Sequence, residues 1–299
     1  MKKSYFKYLS SLIIFGSNGI VASYIHLSSY EIVFLRTLIG SIFLFFIFLL
    51  SKNKLQSFDN KRDVLYLVAS GISTGVSWLF LYQSYSEIGV SLSTLAYYCG
   101  PVIVIMLSPL IFKEHLNIYK IIGFIVVCIG MIFVNGTQFS KTGLSFGLIC
   151  GILAAVTYSL MVIFTKKVNV MTGLECTLIQ LISSFFIVAI FLGIKQGFYI
   201  PKLTENIFPV LFLGIINTGI GCYLYFTSMQ QLPAGTVSIC GYLDPLCALI
   251  FSSLFLHEKL SFIQIVGVVF ILGGAILAES YVYIKEKLSE GKDDNKLSV

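Results

Sequence analysis

The stretch that decides the fold is GISTGVSWLFLYQSYS at residues 71–86, because it returns in altered form as IINTGIGCYLYFTSMQ at residues 215–230. The match continues without a gap from 71–134 to 215–278, an offset of 144 positions, and 14 of the 64 aligned pairs are identical. Solenoid units are much shorter, at about 20–50 residues. A period of this length is half of a protein, and it predicts two similar halves.

The composition favours a membrane protein. Of 299 residues, 57% are hydrophobic and 11% are charged, whereas a soluble domain has about 25% charged residues. The net charge of +6 comes from basic residues spread between apolar runs, a pattern that does not indicate nucleic-acid binding. Seven cysteines lie in or beside apolar runs without a C-x-x-C pair, so we expect packing roles, no disulfide framework, no metal and no cofactor.

Ten apolar stretches are long enough to cross a bilayer as helices, which takes about 20 residues. They predict an all-α integral membrane protein with spans at 4–25, 30–51, 63–86, 90–112, 117–135, 142–164, 173–194, 205–229, 233–256 and 261–283. The two five-helix repeats are then residues 1–137 and 142–285, followed by a polar cytoplasmic tail at 286–299. The first span resembles a signal peptide, but five helices per half require it, so we expect it to be uncleaved.

The basic residues predict the orientation. With the N-terminus in the cytoplasm, 15 Lys and Arg lie on the inner side and four on the outer side, with Arg36 inside a span. This asymmetry follows the positive-inside rule. Both termini are then cytoplasmic, and an odd number of helices per half makes the second repeat cross the inner membrane inverted. Inverted repeats let one central site open to either side.

Asp244 lies twelfth in a 24-residue span, where a carboxylate costs about 2.5–3.5 kcal/mol. It either binds a substrate cation or carries a coupling proton, or it is a neutral acid hydrogen-bonded between helices. Pro245 beside it and Pro101 in the fourth span each leave one backbone carbonyl without a donor. Interrupted helices at matching positions point to a binding site, and a kink that serves packing is the alternative.

Arg36 lies about two turns into the second span. It binds an acid or a substrate carboxylate, or it extends outward toward Glu31. Its partner at the offset of 144 is Gln180, so the halves are electrostatically unequal. Aromatic faces stack on flat substrates or hold cations, and interhelical packing is the alternative for each tyrosine. The candidate substrate-binding or coupling residues are Asn18, Arg36, Trp78, Tyr82, Tyr98, Pro101, Tyr242, Asp244 and Pro245.

Several motifs resemble the EamA branch of the drug/metabolite transporter superfamily. FGSN at 15–18 is similar to that family's Trp-Gly-Ser-Asn, Arg36 to the arginine of its second helix, and YLDP at 242–245 to its Tyr-Leu-Glu-Pro. Glu114 and Glu258 match the acid that ends the fourth helix of each repeat. The resemblance implies a cavity lined by helices 1–4 and 6–9, and transport of small metabolites, including amino acids and their derivatives, often as export.

The sequence therefore predicts a secondary transporter that acts as a monomer or homodimer. The resemblance to the EamA branch implies that it exports small metabolites such as amino acids or related compounds. The sequence contains no P-loop motif, so ATP is not expected as the direct energy source. A carrier of phosphorylated or nucleotide sugars is the alternative within the superfamily, and it would need more basic residues than Arg36. An integral-membrane enzyme would need catalytic groups clustered at one interface, and a non-transporting scaffold would lack an inward-facing polar cavity.

Overall fold

The described part of the chain consists of helices and the connections between them. A computed structural model describes residues 2–51, 56, 60–88, 93, 96–113, 117–135, 146–197, 207–255, 261–263 and 265–278. Within these ranges the regular elements form ten helices, as predicted. They are α1 (Lys2–Gly16 and Asn18–Ser23), α2 (Ser29–Leu50), α3 (Lys61–Ile88), α4 (Cys99–Phe112), α5 (Ile118–Asn135), α6 (Phe146–Lys166), α7 (Leu174–Gln196), α8 (Ile207–Met229), α9 (Ala234–Gly241 and Leu243–Phe255) and α10 (Ile265–Ala278). Glu114, Glu258 and the tail at 286–299 lie outside the described residues.

Five of these helices, α2, α3, α6, α7 and α8, are long and apolar enough to cross a membrane. Shorter apolar helices are α4, α5 and α10. Large apolar side chains such as Leu50, Leu110 and Ile194 are exposed. A surface of this kind suits lipid, where hydrophobic burial between helices is not the driving force.

The helices α4 and α9 are interrupted at equivalent positions, as the prolines predict. α9 breaks at Tyr242, three residues before Pro245, and helical residues before Tyr98 are separated from α4 by a turn three residues before Pro101. The cause is the proline ring, which has no N–H to donate to the carbonyl four residues earlier. The sequence did not predict the third interruption, which lies in α1 at Ser17.

The two halves interlock in two bundles. α1 packs against α8 and α9, and α2 packs against α8, whereas α3 packs against α6 and α7, and α4 packs against α6. The two bundles are joined where α2 packs against α7 and where α4 packs against the first segment of α9. A Cβ atom on Gly75 would lie 2.4 Å from Ile187, and one on Gly219 would lie 2.6 Å from Phe43. These two contacts are related by the offset of 144. Each bundle therefore takes two consecutive helices from each half and repeats contacts found in the other.

The helices α5 and α10 form a pair joined by four glycines. A Cβ atom on Gly123 would lie 2.5 Å from the carbonyl oxygen of Gly274, and one on Gly130 would lie 2.7 Å from that of Gly267. Only glycine permits backbones to approach this closely. Because the contacts advance along α5 while they retreat along α10, the two helices are antiparallel. Under the offset of 144, the repeat partner of Gly123 is Gly267 and that of Gly130 is Gly274, so the two contacts are equivalent under the repeat.

Candidate functional site

A cavity of about 550 Å³ lies between the two bundles. Ligand pockets commonly enclose about 300–1,000 Å³, so a small metabolite fits. The interrupted segments of α1, α4 and α9 line it together with the facing sides of α2, α3, α6 and α8. The structure brings eight of the nine predicted site residues to this cavity: Asn18, Arg36, Trp78, Tyr82, Tyr98, Pro101, Asp244 and Pro245.

Tyr242 is the predicted residue that does not line this cavity. It is 1% exposed and packs against Val127, Met131 and Ile271 of α5 and α10. Its hydroxyl donates a hydrogen bond of 2.9 Å to the backbone oxygen of Tyr98, and the two rings lie 5.9 Å apart. The two tyrosines are repeat partners that meet each other, and only Tyr98 faces the cavity.

Arg36 is held in a fixed position although it lies in an apolar span. It is 3% exposed. Its Nε donates a hydrogen bond of 3.0 Å to Thr218 Oγ1, a second nitrogen lies 3.4 Å from Asn18 Oδ1, and the guanidinium lies 4.6 Å from the centre of the Trp78 ring. All three groups are neutral, so they orient the guanidinium without cancelling its charge. Arg36 does not depend on Glu31, which forms the capping box of α2 with Ser28.

A π-helical segment of α8 presents the partner of Arg36. Residues Leu213–Ile220 are π-helical, and the Thr218 hydroxyl donates 2.8 Å to the carbonyl of Leu213, five residues earlier. Such segments are rare and often lie at functional sites. The equivalent threonine, Thr74, also lines the cavity, but it donates to Ser70, four residues earlier, in regular α-helix. The threonine that binds Arg36 therefore lies in π-helix, whereas its repeat partner lies in regular α-helix. The halves differ in backbone conformation at Thr218 and Thr74, just as they differ in charge at Arg36 and Gln180.

The interruption of α1 is held by a side chain of α8. Asn217 Nδ2 donates to the carbonyl of Ile14, to Ser17 Oγ and to Asn18 Oδ1, at 2.9, 2.9 and 3.0 Å. Asn18 Oδ1 is thereby shared between Asn217 and Arg36. Neither Asn217 nor Thr218 was predicted as a site residue from the sequence. A usable signal was present, because they form a polar pair inside an apolar span and Thr218 is identical to its repeat partner.

Asp244 begins the second segment of α9 and faces the cavity. A carboxylate in the first turn lies near the positive end of the helix dipole, which favours negative charge there. Tyr98 faces the same cavity as this carboxyl. Across the described lining, Asp244 is the one acid and Arg36 is the one base. They come from opposite halves of the chain, so the site joins a cationic and an anionic group that the repeat does not duplicate.

Aromatic side chains form much of the remaining wall. Tyr97 and Tyr158 lie edge to face with ring centres 5.3 Å apart, and the Tyr158 hydroxyl lies 3.0 Å from that of Tyr225. Tyr225, which lines the cavity, stacks on the buried Tyr8 with ring centres 5.3 Å apart. Aromatic faces bind apolar, flat or cationic groups. The wall is thus chemically suited to an organic solute that carries both signs of charge.

The EamA-like transporter family model matches the chain twice, at residues 2–136 and at residues 145–279. The chain belongs to this family. It is a multi-pass membrane transporter and not an enzyme, as the sequence predicted, with the two-repeat fold of EamA-like transporters.

Relatives of this EamA-like transporter extend over most of its length. The uncharacterized transporter YxxF of Bacillus subtilis is 30% identical over 91% of this chain and 88% of its own. Protein PecM of Dickeya dadantii is 25% identical over 71% of this chain and 72% of its own. One solved crystal structure superposes with a TM-score of 0.77 over 92% of this chain and 97% of its own, at 15% identity, which is a likeness of fold.

Proposed function

We propose that this EamA-like transporter is a secondary carrier that exports small zwitterionic metabolites, such as amino acids or related compounds, across the inner membrane. The observation that carries this proposal is the meeting of Arg36 and Asp244 in one aromatic-walled cavity. Arg36 would bind the substrate carboxylate, and Asp244 would bind its ammonium group or exchange a coupling proton. A phosphorylated or nucleotide sugar is disfavoured, because one base and one acid offer an anion no net positive charge.

An inverted arrangement of the two halves is part of this proposal. The antiparallel glycine contacts between α5 and α10 support it, because these helices are repeat partners and would be parallel if the halves had the same orientation. The excess of basic residues on one side supports cytoplasmic termini. In that orientation the cavity lining extends to the exposed outer connection between α1 and α2, at Ser23 and Leu27. The conformation described here would then face outward.

The inner end of the cavity is closed by packed side chains and cross-bundle hydrogen bonds. Tyr8, Val162 and Met229 are fully buried in the cluster beneath the cavity. Lys166, the last residue of α6, donates from Nζ to the carbonyl of Met229 at 3.3 Å and also to that of Leu232. A cation at the C-terminal carbonyls of a helix is favourable. Lys166 thus joins the bundle of α6 to that of α8, and inward opening would have to break this contact.

Lys166→Met is expected to raise the fraction of molecules in which the inner end of the cavity is open. With Cys240 kept as the sole cysteine, its rate of labelling by a membrane-permeant maleimide should rise about tenfold, because a contact worth about 1.4 kcal/mol is lost from the closed state. Cys240 reports on this end because it is 6% exposed in the cluster beneath the cavity. Lys167→Met is the matched control, since Lys167 lies over Tyr66 within one bundle. Equal labelling of the two variants would contradict the role of Lys166.

The substrate class is tested by solute-dependent thermal stabilisation, because a ligand that binds the native state raises its apparent stability. Amino acids should stabilise the purified protein, and flux of the same solutes should follow in proteoliposomes. Stabilisation by sugar phosphates alone would refute the proposal.

Arg36→Lys is expected to weaken this stabilisation selectively. The apparent affinity for amino acids should fall by about tenfold to a hundredfold, because lysine cannot reproduce the planar donor set or the stacking on Trp78. Decarboxylated amines serve as control ligands, and their affinity should stay within twofold of wild type. A parallel loss for amines and amino acids would mean that Arg36 supports the fold and does not bind the carboxylate.

A further inference from the structure

Asn217 of α8 is a buried polar side chain that the packing of the helices does not require. It is 0% exposed, and its Oδ1 has no hydrogen-bond partner among the described residues. An unpaired buried acceptor lowers stability, so such a residue points to a role other than stability. Its repeat partner is Ser73, whose hydroxyl donates 2.8 Å to the carbonyl of Ala69 on its own helix. The same scaffold is therefore built in the first half without an amide at this position.

Three oxygens of α1 determine the orientation of the Asn217 amide. Its Nδ2 lies 2.9 Å from the carbonyl oxygen of Ile14, 2.9 Å from Ser17 Oγ and 3.0 Å from Asn18 Oδ1. The reversed amide would place Oδ1 against these oxygens, so the donor faces α1. Ser17 Oγ lies 2.7 Å from the carbonyl oxygen of Ile14, and one hydrogen of Nδ2 can therefore serve both. The other hydrogen is then left for Asn18.

The bond to Asn18 is the one with a consequence for Arg36. The carbonyl oxygen of Ile14 has other donors, because it also accepts the N–H of Ser17 at 3.1 Å and its hydroxyl at 2.7 Å. Asn18 Oδ1 is shared between Asn217 Nδ2 at 3.0 Å and a guanidinium nitrogen of Arg36 at 3.4 Å. The shorter distance belongs to the neutral donor. Asn217 thus holds the oxygen of Asn18 at the far limit of a hydrogen bond to Arg36.

The second half lacks both the arginine and the residues around it. At the offset of 144, Asn18 corresponds to Val162, which is 0% exposed in an apolar cluster, and α6 runs through it without interruption. Arg36 corresponds to Gln180. The amide pair of Asn217 and Asn18 therefore occurs only in the half of the site that carries the positive charge.

We propose that Asn217 is a positioning residue that keeps Arg36 available to the substrate carboxylate by holding Asn18 away from it. This role rests on the proposed function, in which Arg36 binds that carboxylate. Without Asn217, the oxygen of Asn18 would be drawn to the guanidinium, because a hydrogen bond from a charged donor is stronger than one from a neutral donor. Asn18 would then occupy a donor that the substrate needs. Thr218 would still bind Nε, so Arg36 would stay in place and lose only affinity.

Asn217→Ala tests this role in the purified full-length protein, through solute-dependent thermal stabilisation. The probes are the standard L-amino acids, each paired with the amine that its decarboxylation gives. The apparent affinity for amino acids should fall about tenfold, whereas that for the amines should stay within about twofold of wild type. Without ligand, the unfolding temperature should stay within about 4 °C of wild type, because the lost amide includes an acceptor that had no partner.

The double variant Asn217→Ala with Asn18→Ala separates this role from a structural one. Removing the amide that competes for Arg36 should restore the affinity for amino acids to within about threefold of wild type. A structural role predicts a further loss, because two polar contacts at the interruption of α1 would be missing. Ser73→Ala is the matched control at the equivalent position of α3, and its affinity for amino acids should equal that of wild type.

Three results would overturn the role of Asn217 alone: an unchanged affinity in Asn217→Ala, an equal loss for amines and amino acids, or no recovery in the double variant. If Asn217→Ala does not fold, Asn217→Ser takes its place, because its shorter side chain ends before Asn18 and should cause the same selective loss. Failure of every amino acid to stabilise wild type would overturn the proposed function and, with it, this role of Asn217.

Discussion

Asp244→Asn is expected to reduce proton-dependent transport by about a hundredfold while the protein remains folded. Asparagine has nearly the same shape and can still accept a hydrogen bond through its amide oxygen, but it carries neither a negative charge nor an exchangeable acidic proton. The expected loss corresponds to one hydrogen bond to a charged group. Flux in proteoliposomes with an imposed pH gradient measures it, and thermal unfolding checks that the variant is folded.

Glu31→Gln is the control for this experiment, because Glu31 is an acid of the α2 capping box and does not line the cavity. Its transport should stay within twofold of wild type. If Asp244→Asn transports normally and keeps the usual proton dependence, Asp244 is a structural acid between helices. That result would also remove the main support for a coupling proton.

Gly274→Leu is expected to destabilise the protein by about 3 kcal/mol, at the upper end of the cost of overpacking. A Cβ atom at this position would lie 2.6 Å from the carbonyl oxygen of Gly123 and 2.9 Å from the backbone nitrogen of Val127. These atoms belong to the backbone of α5, so they cannot turn aside as a flexible side chain can. The helices α5 and α10 would have to separate. Thermal unfolding in detergent measures the loss.

The neighbouring residue is a close control for the same helix. A Cβ atom on Gly273 would meet nothing within 4 Å, so Gly273→Leu should leave the unfolding temperature within about 2 °C of wild type. Both substitutions change glycine to leucine at consecutive positions of α10, and only the direction of the side chain differs. A similar loss of stability in both variants would show that helix propensity dominates and that the glycine contacts with α5 contribute little.

Most of the helical architecture was predictable from local properties of the sequence. Apolar length fixes where helices can cross lipid, and Pro101 and Pro245 fix the interruptions of α4 and α9 because each ring removes one donor. Arg36 and Asp244 were identifiable because charge is costly in an apolar span. These residues line the cavity for the same reason, because interrupted backbone and buried charge both need hydrogen-bonding partners that lipid does not provide.

The remaining features depend on which helices meet, and a single sequence does not encode that locally. The partner of Arg36 is Thr218, 182 positions away, and it is presented by a π-helical segment that the apolar pattern of α8 does not reveal. The interruption of α1 at Ser17 contains no proline and is held by Asn217 from the other half. Tyr242 was predicted at the cavity because it lies on the helix that Pro245 interrupts, but its place on that helix does not specify whether it or the touching Tyr98 faces the cavity.

The contact between Tyr98 and Tyr242 has a consequence for the opposite conformation. If the repeats are inverted, as we propose, each half would adopt in the inward-facing state the shape that the other half now has. Tyr98 would then turn into the packing of α5 and α10, and Tyr242 would take its place in the open cavity. The two tyrosines would thus exchange places between the two conformations. Tyr98 would contact the solute when the cavity is open to the outside, and Tyr242 would contact it when the cavity is open to the inside.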